Sequence, residues 1–192
     1  MKKMSGLLRR LSTGMLVVCA LAAGMAGAVV IEPDDLPEAD RSYVVVQSEV
    51  YLADGAHGQA DAQEVDADAA ATGEPDYVVF NGIANGYDSH PLTAKVGERV
   101  RFWVLDNGPN LASSFHIVGA QFDTVYSEGA YLLKRGRDAF GSVSGGSQSL
   151  GLQPAQGGFV EAVFPEAGHY PMVTHAMADS ERGAHGIVQV GE

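Results

Sequence analysis

Cysteine is almost absent from this sequence, with Cys19 as the only one among 192 residues. A disulfide within the chain, a zinc ribbon and a thiol redox pair are therefore excluded, because each needs at least two cysteines. The sequence also contains no H-x-H, no H-E-x-x-H and no cluster of cysteines and histidines. It therefore carries no compact motif that would identify a metal site from spacing alone.

Basic residues are few as well. The chain has 12 Lys and Arg against 24 Asp and Glu, which gives a formal net charge of −12 and a pI near 4.7. We expect no nucleic-acid partner, because such a surface would repel phosphates. Six histidines remain as the abundant ligands for borderline-soft metals.

Long amphipathic helices are missing, whereas short runs of strand-forming residues recur along the chain. The length is sufficient for one well-cored domain with a segment to spare. In the run 99–105, apolar residues alternate with Arg99, Arg101 and Trp103, which predicts a half-buried strand. The spacing predicts an all-β, Greek-key β-sandwich, preceded by an N-terminal hydrophobic segment. The predicted strands are 42–51, 77–80, 92–96, 99–105, 115–118, 122–126, 148–152, 159–164, 170–173 and 187–190, with one helical turn at 176–182.

Two histidines lie in predicted strands where a side chain could be held for chemistry. The segment 164–175, FPEAGHYPMVTH, indicates a strand, a tight turn and a second strand that ends at His175, and this predicts a hairpin. A second run, SFHIVG at 114–119, contains His116. A rigid strand holds its side chains in place, as a metal ligand requires, so the two imidazoles could converge on one ion. Spacing alone slightly favours the alternative, in which both rings are held by backbone hydrogen bonds without a ligand role.

The other histidines are weaker candidates. We expect His57 and His90 to be solvated in loops. His169 is expected to lie in the turn before its strand and to have a structural role. His185 is interpreted either as a neighbour of the metal ligands or as a packed side chain.

The chain opens with a basic head and an apolar run. The first ten residues include two lysines and two arginines but no acid, and MLVVCALAAGMAGAVVI follows at 15–31 without a charge. This pattern indicates a secretory signal cleaved near Ala28, or a membrane anchor close to the lower length limit of about 17 residues. Either would export the rest of the chain to the periplasm, the exterior or the outer face of a membrane. A buried strand is the alternative.

The segment 53–74 is rich in Ala, Asp and Gly and has almost no large apolar residue, so we predict a loop or linker there. Three regions result. They are a signal or anchor at 1–31, a linker with one strand and an acidic Ala-rich loop at 32–76, and the folded domain at 77–192.

Longer matching runs give a family resemblance. The runs are YVVFNG at 77–82, HPLTAKVGERVRFWVLD at 90–106, SFHIVGAQFDTVYSEG at 114–129, LQPAQGGFVEAVFPEAGHYPMVTH at 152–175 and ERGAHGIVQV at 181–190. Together they resemble the second cupredoxin (plastocyanin-like) domain of copper-containing nitrite reductases and two-domain multicopper oxidases. The resemblance implies a cupredoxin-like fold, copper as the cofactor, nitrite or oxygen as a small inorganic substrate, and a homotrimer.

The resemblance also implies roles for the two histidines. His175 stands where the family has a copper ligand at a subunit interface. His116 stands where the family has a residue beside that copper, which either ligates it or moves protons to the substrate. His116 is therefore the implied catalytic residue, and both histidines are implied metal-site residues.

The sequence departs from the family at its start. The family's first cupredoxin domain, with its His, Cys, His and Met blue-copper site, has no counterpart here. The segment 24–52 resembles the family's interdomain segment, with Met25 at the axial-ligand position, but Cys19 is too close to Met25 to be the thiolate ligand. The resemblance therefore gives a second interpretation of 1–31, as the remnant of a lost first domain. We therefore expect an incomplete copper-dependent oxidoreductase that is inactive alone and associates with a blue-copper domain. The alternative is an exported, non-enzymatic module for copper binding or assembly.

Overall fold

The computed structural model describes residues 27–53 and 65–192. Cys19, Met25, His57 and all but the end of the apolar run at 15–31 lie outside the described residues, as do the predictions that rest on them. Within the part that the structure describes, no helix combines the length and the apolarity needed to cross a membrane.

Twelve strands form two sheets in the described residues. The seven-stranded sheet has the order β2-β1-β4-β10-β6-β7-β8, and the five-stranded sheet has the order β3-β12-β11-β5-β9. This is the predicted all-β sandwich. The strands are β1 Arg41–Val50, β2 Tyr77–Phe80, β3 His90–Lys95, β4 Arg99–Asp106, β5 Ser113–Ile117, β6 Thr124–Ser127, β7 Ala130–Lys134, β8 Arg137–Asp138, β9 Ser149–Leu152, β10 Gly157–Val163, β11 Gly168–Thr174 and β12 His185–Gly191. Three short helices accompany them: α1 Ala67–Thr72, α2 Gly86–Ser89 and α3 Met177–Glu181.

The core lies between the two sheets and is built around Phe115 of β5. Its ring lies 5.8 Å from Phe102, 6.3 Å from Phe80 and 6.2 Å from Phe122, measured between ring centroids. All four rings are buried, so the alternating apolar residues of both sheets meet in one continuous interior. This packing fixes the face of β5 that points away from the core.

The outer face of β4 is covered more fully than the sequence predicts. Arg101 is 4% exposed and Glu161 of β10 is 1% exposed, and their side chains form an ion pair at 2.6 Å. Arg101 also donates to the carbonyl oxygen of Pro37. A charged residue in an alternating strand usually faces water, but here neighbouring acids and an N-terminal segment enclose it.

The predicted hairpin at 159–175 is wrong, although its two strands exist. β10 lies in the seven-stranded sheet and β11 lies in the five-stranded sheet, so the turn carries the chain from one sheet to the other. The cause is Phe164, which is fully buried and packs on Tyr170 with 4.8 Å between ring centroids. Burying that ring draws the turn over the end of the core.

The loop predicted at 53–74 contains a helix that the sequence interpretation missed. α1 begins after Asp66, whose carboxylate accepts a hydrogen bond from the Ala69 amide at 2.8 Å, and ends at Gly73 with a φ of 74°. Alanine is the strongest helix former, and both caps have the residue types that helix ends favour. Absence of large apolar residues therefore does not exclude local order here.

Candidate metal centre

β5 positions His116 by strand alternation. Phe115 and Ile117 are fully buried in the core, while Ser114 and His116 lie on the opposite face and are only partly buried. β5 lies between β11 and β9, with His116 opposite Val173 on one side and Ser149 on the other. A strand paired on both sides gives the ring a rigid base.

His175 directly follows the last residue of β11, and its side chain is exposed. Its backbone amide donates to the carbonyl oxygen of Ser114 at 2.7 Å. In return, the Ser114 amide donates to the hydroxyl of the fully buried Thr174 at 3.0 Å. These bonds fasten the end of β11 to β5, so the backbones that carry both histidines are held together.

The structure brings the two predicted histidines side by side. The centroids of the His116 and His175 rings lie 5.3 Å apart, with 63° between the ring planes. Both rings line a depression of about 470 Å³, together with Ser114, Gln148 and Ser149. The convergence that the sequence could only suggest is therefore present in the fold.

A hydrogen bond determines which nitrogen of His116 is available. Its Nδ1 contacts the backbone carbonyl oxygen of Gln148. A carbonyl oxygen can only accept, so Nδ1 carries the proton and Nε2 keeps its lone pair when the ring is neutral. Metal-ligating histidines are commonly oriented by such a bond from their second nitrogen.

The residues present fit part of a copper site. Imidazole nitrogen is a suitable donor for copper and lies about 2 Å from a bound first-row ion, so rings 5.3 Å apart can both reach one ion after small torsional adjustments. The described residues contain no group of three or more His, Cys, Asp or Glu side chains placed to hold a metal. Two donors are thus supplied here, and further ligands would have to come from elsewhere.

The other described histidines lie outside this depression. His185 is bonded through Nδ1 to the Ser180 carbonyl oxygen at 2.7 Å and through Nε2 to Asp88 at 3.1 Å, so it is a packed side chain. His90 is exposed as predicted and contacts the Ser89 hydroxyl at 3.0 Å, but its predicted place in a loop is wrong because it is the first residue of β3. His169 is exposed within β11, and its predicted place in the turn is wrong because the strand begins at Gly168.

Sequence interpretation missed the residues that support the two rings. Thr174 and Gln148 act through a hydroxyl and a backbone carbonyl, neither of which has a metal-ligand signature in sequence.

Asp106 is a buried carboxylate that the sequence did not single out. It is fully buried at the end of β4, and its carboxylate accepts a hydrogen bond from the Gly108 amide at 3.0 Å. Burial, with a smaller contribution from nearby Glu49, raises the pKa of Asp106 to about 6.

Comparison with curated proteins finds copper-containing nitrite reductases as relatives of this chain. No family model matches the chain. A copper-containing nitrite reductase from Neisseria gonorrhoeae is 36% identical over 173 residues, which cover 88% of this chain and 41% of that protein. The enzyme of the same description from Neisseria meningitidis serogroup B is also 36% identical, with 42% of its length covered. The chain therefore spans less than half the length of these curated relatives.

Solved structures agree on the fold. A copper nitrite reductase from Nitrosomonas europaea matches with a TM-score of 0.66 and 28% identity over 85% of this chain and 54% of that chain. A copper-containing nitrite reductase from Thermus scotoductus matches with a TM-score of 0.64 and 28% identity over 80% of this chain and 31% of that chain. A multicopper oxidase at 21% identity and a TM-score of 0.59 supports the fold alone. The described residues thus form a cupredoxin-like domain of the copper-containing nitrite reductase family.

Proposed function

We propose that this chain is a copper-binding unit of a nitrite-reductase-like multicopper oxidase, in which His175 is a copper ligand and His116 is a ligand or a proton donor. The observation that carries the proposal is the pair of imidazoles converging in one depression, 5.3 Å apart. The relatives named as copper-containing nitrite reductases support copper as the metal.

The two histidines have different tasks in this proposal. His175 has an exposed ring on a fixed backbone, which suits a ligand that meets a metal at an interface. His116 has its Nδ1 proton committed to Gln148, so Nε2 is the atom that binds metal or takes up and releases a proton. Bound copper would supply Lewis-acid polarisation of nitrite or oxygen and one-electron chemistry.

Turnover needs a blue-copper domain from outside the described residues. A blue-copper site requires a cysteine thiolate, and the sequence around Cys19, the only cysteine of the chain, contains no histidine. We therefore infer that electrons and the missing ligands come from such a domain, and that nitrite or oxygen is not reduced by this chain alone. Association as a homotrimer would place the exposed His175 at a contact between copies. Light scattering that finds only monomers at high protein concentration would count against the trimer.

The alternative function is an exported module for copper binding or assembly. It is favoured by the two-imidazole donor set of the described residues and by the basic head with its apolar run at 15–31. The gene neighbourhood separates the alternatives. An adjacent reading frame that encodes a His-Cys copper site would support the oxidase unit, whereas signal cleavage near Ala28 without such a neighbour would support the module.

Copper titration tests the site. Two imidazoles give moderate affinity, so we expect pale Cu(II) binding without the intense blue colour of a thiolate site, and weaker binding below the ordinary histidine pKa of about 6.5. Competition against a chelating dye should show that His175→Ala removes most of the binding and that His116→Ala weakens it less. His169→Ala, which removes an exposed histidine outside the depression, is the matched control. Unchanged affinity in His175→Ala would overturn the assignment.

A further inference from the structure

The hairpin of β7 and β8 is a basic feature on an acidic protein. Lys134 ends β7, Arg135 lies in the turn and Arg137 begins β8, although the chain has a formal net charge of −12. Their side chains line a concave pocket of about 420 Å³ together with Tyr131 and Asp138. This pocket shares no residue with the depression that contains the two histidines.

The three basic side chains differ in how closely each is paired with an acidic side chain. Lys134 is bound to Asp35 at 2.5 Å. Arg135 is 44% exposed and lies 3.9 Å from Glu161, a carboxylate already held by Arg101. Arg137 is exposed and forms no ion pair or side-chain hydrogen bond with the rest of the described chain. Two guanidinium groups therefore keep most of their donors available.

Large apolar side chains stand next to these charges. Phe140 is 97% exposed, Val143 is 59% exposed and Leu132 is 58% exposed. The loop that carries Phe140 is held, because Asp138 accepts hydrogen bonds from the amides of Phe140 and Ser142, both at 2.9 Å. Exposed aromatic and arginine side chains on a fixed loop are the residue types that concentrate at the centres of protein interfaces.

We propose that the β7–β8 hairpin is a docking surface for an acidic segment of a partner protein. Arg135 and Arg137 bind its carboxylates, and Phe140 packs against an apolar side chain beside them. The planar guanidinium fork matches a carboxylate in two parallel hydrogen bonds. Within the chain itself, the acidic segment at 32–38 already reaches this hairpin through the bond between Asp35 and Lys134.

The geometry favours a protein segment over a lipid surface. A concave pocket accommodates a projecting acidic side chain, whereas a bilayer presents a flat surface to it. Membrane attraction also depends on many clustered cations, and only two of those that line this pocket are not closely paired. Vesicle binding is accordingly an outcome that would count against the proposal.

Fluorescence anisotropy with a labelled synthetic peptide of glutamate interspersed with leucine tests the surface on the full chain. We expect Arg137→Glu to weaken peptide binding about fivefold, and Phe140→Ser to weaken it to a similar extent. The matched control is Lys95→Glu, which makes the same change in net charge at an exposed position of β3, in the other sheet. That variant should bind the peptide as the parent protein does.

Three results would overturn the proposal. Equal weakening by Lys95→Glu would show that only net charge matters. Absence of peptide binding by the parent chain would show that the surface does not take acidic segments. Binding to phosphatidylglycerol vesicles that depends on Arg137, without peptide binding, would assign the hairpin to a membrane instead. Thermal unfolding of each variant confirms that these exposed substitutions leave the fold intact.

Discussion

A single hydrogen bond determines what the ring of His116 can do. Because Gln148 offers a carbonyl oxygen, the Nδ1 of His116 must be the protonated nitrogen in the neutral ring. His175 shows no such bond from its ring among the described contacts, so its two nitrogens are both available. The two imidazoles therefore differ in chemistry although they lie side by side.

Nitrogen-15 NMR of the metal-free protein can test this tautomer. We expect the neutral His116 ring to show a protonated Nδ1 and an unprotonated Nε2, because only that form donates a hydrogen bond to the carbonyl of Gln148. Exposed His90 serves as the comparison, since its ring contacts a serine hydroxyl that can donate or accept. Observation of the Nε2-protonated form at His116 would contradict the assigned geometry.

Asp106 gives a prediction about stability and pH. Burial raises its pKa from 3.8 to about 6, so between these values the folded protein keeps a proton that the unfolded chain has lost. Stability from this group is therefore full below pH 4 and is lost as the pH rises to about 6, by about 3 kcal/mol in total. Asp106→Asn cannot titrate. The difference in unfolding free energy, Asp106→Asn minus parent, should therefore increase by about 3 kcal/mol between pH 4 and pH 7.

Asp123→Asn is the control, because its pKa shift has the opposite sign. Burial raises the pKa of Asp123, but hydrogen bonds from Arg99 and Thr124 outweigh burial and lower it below its ordinary value. The parent gains stability from this group above the unfolded pKa and loses it as the pH falls. Urea unfolding across the pH range measures both variants. A constant difference between parent and Asp106→Asn at every pH would contradict the account.

Among the secondary-structure elements, two strand glycines allow a matched comparison. A Cβ at Gly158 of β10 would lie 2.2 Å from the backbone oxygen of Tyr126, whereas a Cβ at Gly151 of β9 would meet nothing within 4 Å. We expect Gly158→Ala to destabilise the protein by about 2 kcal/mol, because the β6 backbone must move. Gly151→Ala should change stability by less than about 1 kcal/mol. Equal unfolding free energies for the two variants would show that the β6–β10 contact is looser than described.

The secondary-structure elements also show which features of the fold the sequence patterns could predict. A β-rich run that stops at the turn dipeptide Asn81-Gly82 predicted β2 at its observed ends. Alternation of apolar residues predicted β4 to within one residue. α1 was missed, since its helix depends on alanine propensity and two caps rather than on an apolar face. The failed hairpin between β10 and β11 has another cause. Turn residues indicate that a chain reverses, but not which sheet the next strand joins.

At the scale of the whole molecule, the site depends on pairing between distant parts of the chain. The sequence places His116 and His175 in or at the end of strands, but only the sheet order β11-β5-β9 makes them neighbours. Such pairing is set by the complete core and does not follow from local periodicity. The support from Gln148 and Thr174 has the same origin. Family resemblance supplied the pairing of the histidines in advance, whereas spacing slightly favoured a structural role.

Copper-edge anomalous diffraction from crystals soaked in Cu(II) tests the central claim most directly. We expect one strong anomalous peak in the depression formed by Ser114, His116, Gln148, Ser149 and His175, within coordination distance of the His175 ring. Crystals of His175→Ala should lose that peak while keeping the fold. A peak at exposed His90 or His169, with none in the depression of the parent protein, would contradict the assignment of this site as the copper centre.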